Sequence, residues 1–331
     1  MIAPEKISLV ISTYNHVRPL ELCLAGFRKQ TIPPKEIIIA DDGSTSPTRD
    51  LITRLAPSLP CPVRHLWHED LGFRKNVILN RALSTALGDY LVLTDADCIP
   101  HSKFIADHAS LAEKGFWVQG RRSYLSSTFS DTLLPTDSIH PLLLFLSGQL
   151  SGVAKAFRLP LPIICRNQEQ RGIIGCNMAM WRDDLLKING WDEEYEGWGL
   201  GEDSDVGSRL YHLGRPRKFV YGRAILYHLH HPILGRDHVP KSKSRLEETL
   251  RTKKIRCTRG VDSARKYFED HQFDSEIGHL RIVHVVLVGH GHDFSIAQLV
   301  GFFGFPIVGQ LGIFFNGHEG RGCQSLCGHV L

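Results

Sequence analysis

The chain lacks the marks of several functional classes. Its charge is nearly balanced, 39 Lys and Arg against 35 Asp and Glu for a net +4 over 331 residues, too little for a surface that neutralises a nucleic-acid backbone. No G-x-G-x-x-G follows the first apolar segment, which excludes the dinucleotide-binding fingerprint of many oxidoreductases. The opening MIAPEKISLVIS has no basic stretch leading into a long apolar run, so it reads as a first strand rather than a secretory leader. No repeat recurs at a fixed period. With 42% hydrophobic residues the chain can bury a core, and global disorder is excluded.

Cysteine is present but not as a framework. Cys23, Cys61, Cys98, Cys165, Cys176 and Cys257 are scattered through the chain, the pattern of reduced thiols in a cytoplasmic protein. Cys323 and Cys327 lie close together, with His318 and His329 beside them, but the spacing is not that of a standard zinc site. Basic residues concentrate in one place, eight of them between Lys241 and Arg259 against only Glu247 and Glu248. That run reads either as a solvated helix face or as a contact with anionic lipid or an acceptor. The stretch 296–315 carries no charge over twenty residues, long enough to cross a bilayer. Its glycines, two glutamines and Pro306 favour an interfacial or irregular tail instead.

The first third alternates apolar runs with amphipathic segments. Ile7 to Ile11 reads as a strand, and Pro19 opens a helix whose Leu20, Cys23, Leu24 and Phe27 share one face. Glu36 to Ala40 and Val63 to Leu66 are further strands. Leu79, Ala82, Leu83, Ala86 and Leu87 make a second helical stripe, closed by Gly88, and Tyr90 to Thr94 is a buried strand. This order predicts an α/β fold with a mostly parallel sheet flanked by helices. Ligands bind such sheets beyond the carboxyl ends of the strands, where Thr13–Asn15, Asp41–Ser44 and Asp95–Asp97 all fall. Residues 121–170, rich in proline and carrying a Leu-rich run from Pro141 to Leu146, read as long loops around a small apolar cluster facing the acceptor. The expected division is 1–115 and 116–260, with 261–331 as a tail.

Asp95-Ala96-Asp97 sets two carboxylates beside each other just past a buried strand. They repel unless a cation or ligand sits between them, and a nucleotide diphosphate needs such a cation, Mg²⁺ or Mn²⁺, to leave. The alternative is a solvated turn. Asp41-Asp42-Gly43-Ser44 is either an ordinary turn or a place where a carboxylate accepts a uracil N3–H or a ribose hydroxyl. Gly72 to Asn76 precedes a helix, so its backbone and Arg74 could meet phosphate oxygens; the alternative is an exposed, uninvolved arginine.

Together these segments resemble a known family. Ser-Leu-Val-Ile-Ser-Thr-Tyr-Asn at 8–15, Ala-Asp-Asp-Gly-Ser-Thr at 40–45 and Thr-Asp-Ala-Asp-Cys-Ile-Pro at 94–100 look like family 2 glycosyltransferases of the GT-A fold. Gly-Cys-Asn-Met-Ala-Met-Trp at 175–181, Asn-Gly-Trp-Asp at 189–192 and Gly-Trp-Gly-Leu-Gly-Glu-Asp-Ser-Asp at 197–205 resemble the second half of galactosyl- and N-acetylgalactosaminyltransferases, chondroitin polymerases and β-1,4-galactosyltransferases. The resemblance covers residues 5 to about 260.

It implies that Thr13, Tyr14, Asp41 and Asp42 hold the nucleoside and that Asp95 binds ribose or donor sugar. Asp97 would ligate the metal with His228, which follows the acidic motif by about twenty-five residues. Glu202 and Asp203 would form the acidic pair on the acceptor side, Asp203 as general base, with Trp198 a platform for a sugar face and Asn177 a second acceptor- or sugar-binding residue. Relatives commonly read Trp-Gly-Gly-Glu-Asp, and Leu200 adds one residue here. The implied reaction is inverting transfer of a hexose or N-acetylhexosamine, galactose-type favoured, from a UDP-sugar to a glycan or glycolipid. The setting would be bacterial envelope polysaccharide or lipopolysaccharide synthesis, in the cytoplasm or peripherally at the inner membrane face, with no nucleic-acid partner.

The residues themselves fit that chemistry. A hydroxyl nucleophile needs a carboxylate within reach to take its proton, and an oxocarbenium-like centre tolerates carboxylates nearby. Glu202, Asp203 and Asp205 stand where a helix would begin, at its positive end. Simple capping by one acid is the competing explanation. Of His228, His230 and His231, only one need be a ligand. A nucleotidyltransferase would present carboxylates too, but would have no use for Trp198 or the Glu202-Asp203 pair; a nucleotide-sugar or glycan-binding protein without turnover is the non-enzymatic rival.

Overall fold

A computed structural model describes residues 2–167, 172–195, 197, 201–232 and 239–263. The chain divides into two units, 1–279 and 280–331; the second, with the apolar stretch 296–315 and the Cys323–Cys327 cluster, lies outside the described residues, as does Trp198.

Strand β1 (Ile7–Thr13) is buried along its whole length, as expected of a central strand covered on both faces. It is followed by α1 (Val17–Arg28), β2 (Glu36–Asp41), α2 (Ser46–Leu55), β3 (Val63–Trp67), α3 (Lys75–Thr85) and β4 (Tyr90–Asp95). These four strands are parallel, in the order β3-β2-β1-β4. Leu20, Cys23, Leu24 and Phe27 are buried on α1, and Leu79, Ala82 and Leu83 on α3. The second stripe ends before Leu87, which is 60% exposed, because α3 closes at Thr85. Gly88 instead serves close approach: a Cβ there would lie 2.6 Å from the Ser8 nitrogen. The helix α2 has no counterpart in the sequence reading, since only Thr48, Leu51 and Ile52 of its ten residues are buried. One buried acid in the sheet, Glu36, is satisfied by Ser8 Oγ at 2.6 Å, the Leu87 N–H at 2.7 Å and Arg64 at 3.0 Å.

The chain continues through β5 (Cys98–Pro100), α4 (Phe104–Leu111), β6 (Trp117–Gln119), β7 (Arg121–Leu125), α5 (Ser127–Thr132), α6 (Pro141–Leu146), β8 (Leu150–Ser151), β9 (Ile163–Asn167), β10 (Met178–Trp181), α7 (Arg182–Lys187), α8 (Glu202–His212), β11 (Arg217–Tyr221), β12 (Ile225–His228) and α9 (Val239–Thr252). β10, β6, β11 and β9 extend the first sheet to eight strands; β5, β12, β7 and β8 form a second of four. The region expected to be loops thus contributes short strands and helices, and its apolar cluster includes Leu125, Leu133, Leu144, Leu150 and Tyr227. Among the described residues no helix is long and apolar enough to cross a membrane.

Register explains why distant polar loops meet. Ser12 stands opposite Asp95 in the β1–β4 pair and Thr13 opposite Asp41 in the β1–β2 pair. The carboxyl ends of β2, β1 and β4 therefore open on one cleft. This is the GT-A arrangement.

Candidate active site

On the nucleoside side, Asp41 is fully buried. Its Oδ1 accepts the Ser44 N–H at 2.8 Å and its Oδ2 faces His65 Nε2 at 2.8 Å. Through these contacts the Asp41 carboxylate shapes the turn after β2. Asp42 accepts from His68 Nε2 at 2.7 Å and from the Arg74 N–H at 3.0 Å, which joins this turn to the start of α3. Thr13 Oγ1 is buried with no partner among the described residues. Tyr14 is exposed, its hydroxyl donating to Asp70 at 2.8 Å. The Arg74 guanidinium donates to the Glu69 carbonyl at 3.1 Å and shows no contact with Asp95. The cation that reaches Asp95 is its neighbour Lys75, at 2.8 Å, which the sequence reading passed over.

Asp97 gathers two histidines. Its Oδ2 lies 3.4 Å from His228 Nε2 and 3.1 Å from His231 Nε2. Antiparallel pairing causes this: β12 sets His228 opposite Cys98, and the Leu229 N–H donates to the Asp97 carbonyl at 2.8 Å. His231 joins from just past the strand end, its ring centroid 5.1 Å from that of His228. His230 turns away, its backbone N–H bonded to Ser130. Burial alone would push the Asp97 carboxyl up, but hydrogen bonds from both histidines and their charge hold it well below the usual carboxylate range. One carboxylate and two imidazoles within 4.8 Å of one another suit a borderline divalent cation such as Mn²⁺ better than Mg²⁺, which prefers oxygen ligands. Among the described residues this is the one cluster of three such side chains. The sequence motif offers two of its members, Asp97 and His228; the fold adds His231.

The acids of the second half lie in the first turn of α8. The N-cap is Gly201 and no side chain caps the helix, so capping does not account for Glu202 or Asp203. A Cβ at Gly175 would collide with the Asp203 oxygens; glycine there lets the backbone approach the carboxylate. Burial raises the Asp203 carboxyl, opposed by Lys75, and Asp95 adds to the rise. Burial first, then Asp203, push the Glu202 carboxyl up to about 7. Lys75, Asp95, Glu202 and Asp203 thus form one electrostatic group.

The third acid of that turn, Asp205, has a different task. It binds Arg209 Nε at 2.6 Å and Thr249 Oγ1 at 2.7 Å, all buried. Arg209 also ties down the Ile188 and Gly190 carbonyls, at 2.7 and 2.8 Å. Asp205→Ala strands a buried guanidinium and is expected to cost about 3–5 kcal/mol of stability in denaturant unfolding; a loss below about 1 kcal/mol would show the pair to be incidental.

Asn177, expected to meet a sugar, is bonded to the backbone around it. It is fully buried, donates to the Arg121 and Ala224 carbonyls at 2.8 and 2.7 Å, and meets His108 at 3.1 Å through Oδ1, so little of its capacity remains for a ligand. Asn189-Gly190-Trp191-Asp192 serves α3: Asn80 exchanges hydrogen bonds with the Trp191 backbone at 2.8 Å in each direction, and Asn76 donates to the Asp192 carbonyl at 2.7 Å.

Comparison with known proteins agrees with this geometry. The glycosyl transferase family 2 profile matches residues 8–187, and that of the N-terminal domain of galactosyltransferase matches 164–232. Chondroitin synthase of Escherichia coli is 27% identical over 243 residues, covering 68% of this chain and 35% of that protein. Validoxylamine A glucosyltransferase of Streptomyces hygroscopicus subsp. limoneus is 27% identical over 229 residues, covering 63% and 49%. The chain therefore spans about a third to a half of the length of these relatives. Among solved structures, S. aureus TarS 1-349 in complex with UDP aligns with a TM-score of 0.50 at 16% identity, over 78% of this chain and 68% of that one, a likeness of fold. The fold is of the GT-A class. The chain belongs to glycosyl transferase family 2.

Proposed function

We propose that the protein is an inverting, cation-dependent glycosyltransferase that moves a hexose or N-acetylhexosamine from a UDP-sugar to a hydroxyl of a glycan or glycolipid. The observation that carries this reading is Asp203: a carboxylate with no capping duty, raised by burial and grouped with Asp95 and Glu202. Asp203 takes the acceptor's proton as the new bond forms. Asp97, His228 and His231 hold Mn²⁺ or Mg²⁺, which when bound supplies positive charge to the leaving diphosphate. Thr13, Tyr14 and Asp42 hold the nucleoside, Asp42 Oδ2 accepting a uracil N3–H beside the Arg74 N–H it already binds. Asp95 keeps an oxygen for a donor hydroxyl, and Trp198 offers an apolar face to a sugar.

Residues 1–115 serve the donor and 116–260 the acceptor. A galactose-type sugar is favoured by the match over 164–232. Envelope polysaccharide or lipopolysaccharide synthesis, in the cytoplasm or peripherally at the inner membrane face, is the setting that suits a glycan acceptor.

The nucleotide preference is tested by thermal shift with Mn²⁺ and UDP, GDP or CMP. UDP at a hundredfold excess over Kd is expected to add about 2.7 kcal/mol, with GDP and CMP well below it. Equal protection by all three would remove the uridine reading. Release of labelled sugar from UDP-sugars with Mn²⁺, and none with EDTA, separates a transferase from a protein that only binds its donor.

A further inference from the structure

The turn that ends β2 is held by the segment that follows β3. The two strands pair in parallel with Asp41 opposite Trp67, so Asp42 and His68 come next and leave the sheet side by side. Trp67 Nε1 donates to the Ser44 carbonyl at 2.9 Å. Gly43 has a φ of +94°, and a Cβ on it would lie 2.7 Å from the Asp70 Cα, so glycine lets the two backbones touch here. His68 Nε2 meets Asp42 Oδ1 at 2.7 Å, with the side chains 3% and 8% exposed. An ionised carboxylate can only accept, so the ring carries a proton on Nε2 and donates it. The Arg74 N–H is shared between Oδ1 at 3.2 Å and Oδ2 at 3.0 Å. Oδ1 therefore has two donors, while Oδ2 keeps capacity for one more. The other ring nitrogen of His68, Nδ1, is buried without a partner among the described residues. The bond to Asp42 is thus the one polar tie of this ring among them.

We propose that His68 is a positioning residue for the choice of nucleobase: by holding Asp42 Oδ1, it fixes the carboxylate with Oδ2 as the open acceptor. The inference rests on the reading of Asp42 given above, as the group that meets uracil. Uracil carries a hydrogen on N3, whereas cytosine presents a lone pair there, and UDP and CDP share the same ribose and diphosphate. A fixed carboxylate therefore attracts the first base and repels the second, and both effects set the preference. Without the His68 donor, Asp42 keeps only the shared Arg74 N–H and is free to turn. Attraction to uracil and repulsion of cytosine are then lost together.

The experiment measures Kd for UDP and for CDP by calorimetry at saturating Mn²⁺, in the full chain and in its His68→Leu, His68→Ala and His68→Gln variants. His68→Leu fills the space of the ring without a donor and stands in if the Ala variant unfolds. Both are expected to lower the preference for UDP over CDP by about 10–100-fold, the worth of a hydrogen bond to a charged group. The loss comes from weaker UDP binding, with CDP little changed. His68→Gln puts an amide donor at similar reach and is expected to keep most of the preference. An unchanged preference in the Leu and Ala variants, or UDP and CDP weakened by the same factor, overturns the inference and leaves His68 a packing residue. Asp42→Asn, measured alongside, separates the two levels. A preference that survives Asp42→Asn removes the reading of Asp42 itself, whereas one lost in Asp42→Asn but intact in His68→Leu removes only the role of His68.

Discussion

Asp203→Asn is expected to bind donor as the parent does and to lose about 10²–10⁴-fold in transfer rate, the usual worth of a general base. The substitution keeps the shape of the side chain and removes its ability to take a proton. A folding defect is an unsuitable explanation for lost activity here. Asp203 is not the cap of α8, and its carboxyl is already raised by burial, so replacing it with a neutral amide relieves a desolvated charge rather than creating one. Glu202, with its carboxyl pushed up to about 7, is the only neighbour in that turn that could take over the proton. Glu202→Gln therefore belongs in the same experiment and is expected to cost less than Asp203→Asn. Titration of UDP by calorimetry shows whether donor binding survives. A normal rate in Asp203→Asn, or a larger loss in Glu202→Gln, would reassign the base.

The second large effect concerns the cation. Asp97→Ala, His228→Ala and His231→Ala are each expected to raise the Mn²⁺ concentration needed for half-maximal activity by at least about 10–100-fold, the range seen when even outer partners of a metal are lost. Asp97→Ala should be the most severe, because it is the carboxylate that faces both imidazoles. His231 is the more exposed of the two histidines, at 27% against 10% for His228, and its loss should be the mildest of the three. Paramagnetic resonance of free Mn²⁺ reads binding directly, without reference to turnover. Unchanged Mn²⁺ binding in all three variants, or full activity in EDTA, would contradict the site.

The parts of this arrangement that could be read from sequence share a physical cause. Strands covered on both faces, such as Ile7–Thr13 and Tyr90–Asp95, appear as mostly apolar runs, and the polar residues that end them fall at the cleft by topology alone. Helices with one buried face, such as α1, announce themselves by period. The helix α2 does not, because it lies on the surface with few apolar anchors. The short strands of the second sheet, two to five residues long, are below the length at which alternation is visible. Site residues divide in the same way. Asp97 was visible from its motif. His231 became a partner only through the pairing of β12 with β5, and Lys75 through its ion pair with Asp95 at the end of β4. Asn177 and Asp41 show the converse: a buried side chain bonded to its surroundings has the same letters as one waiting for a ligand, and hydrogen-bond partners are not written in the sequence.

The central claim is that one carboxylate activates the incoming hydroxyl for direct displacement at the anomeric carbon. The most direct measurement is proton NMR, in real time with Mn²⁺, of the sugar first released from an α-linked UDP-sugar to water or to a simple glycoside acceptor. The β anomer is expected to appear first, at a rate that Asp203→Asn abolishes. Initial appearance of the α anomer would contradict the claim.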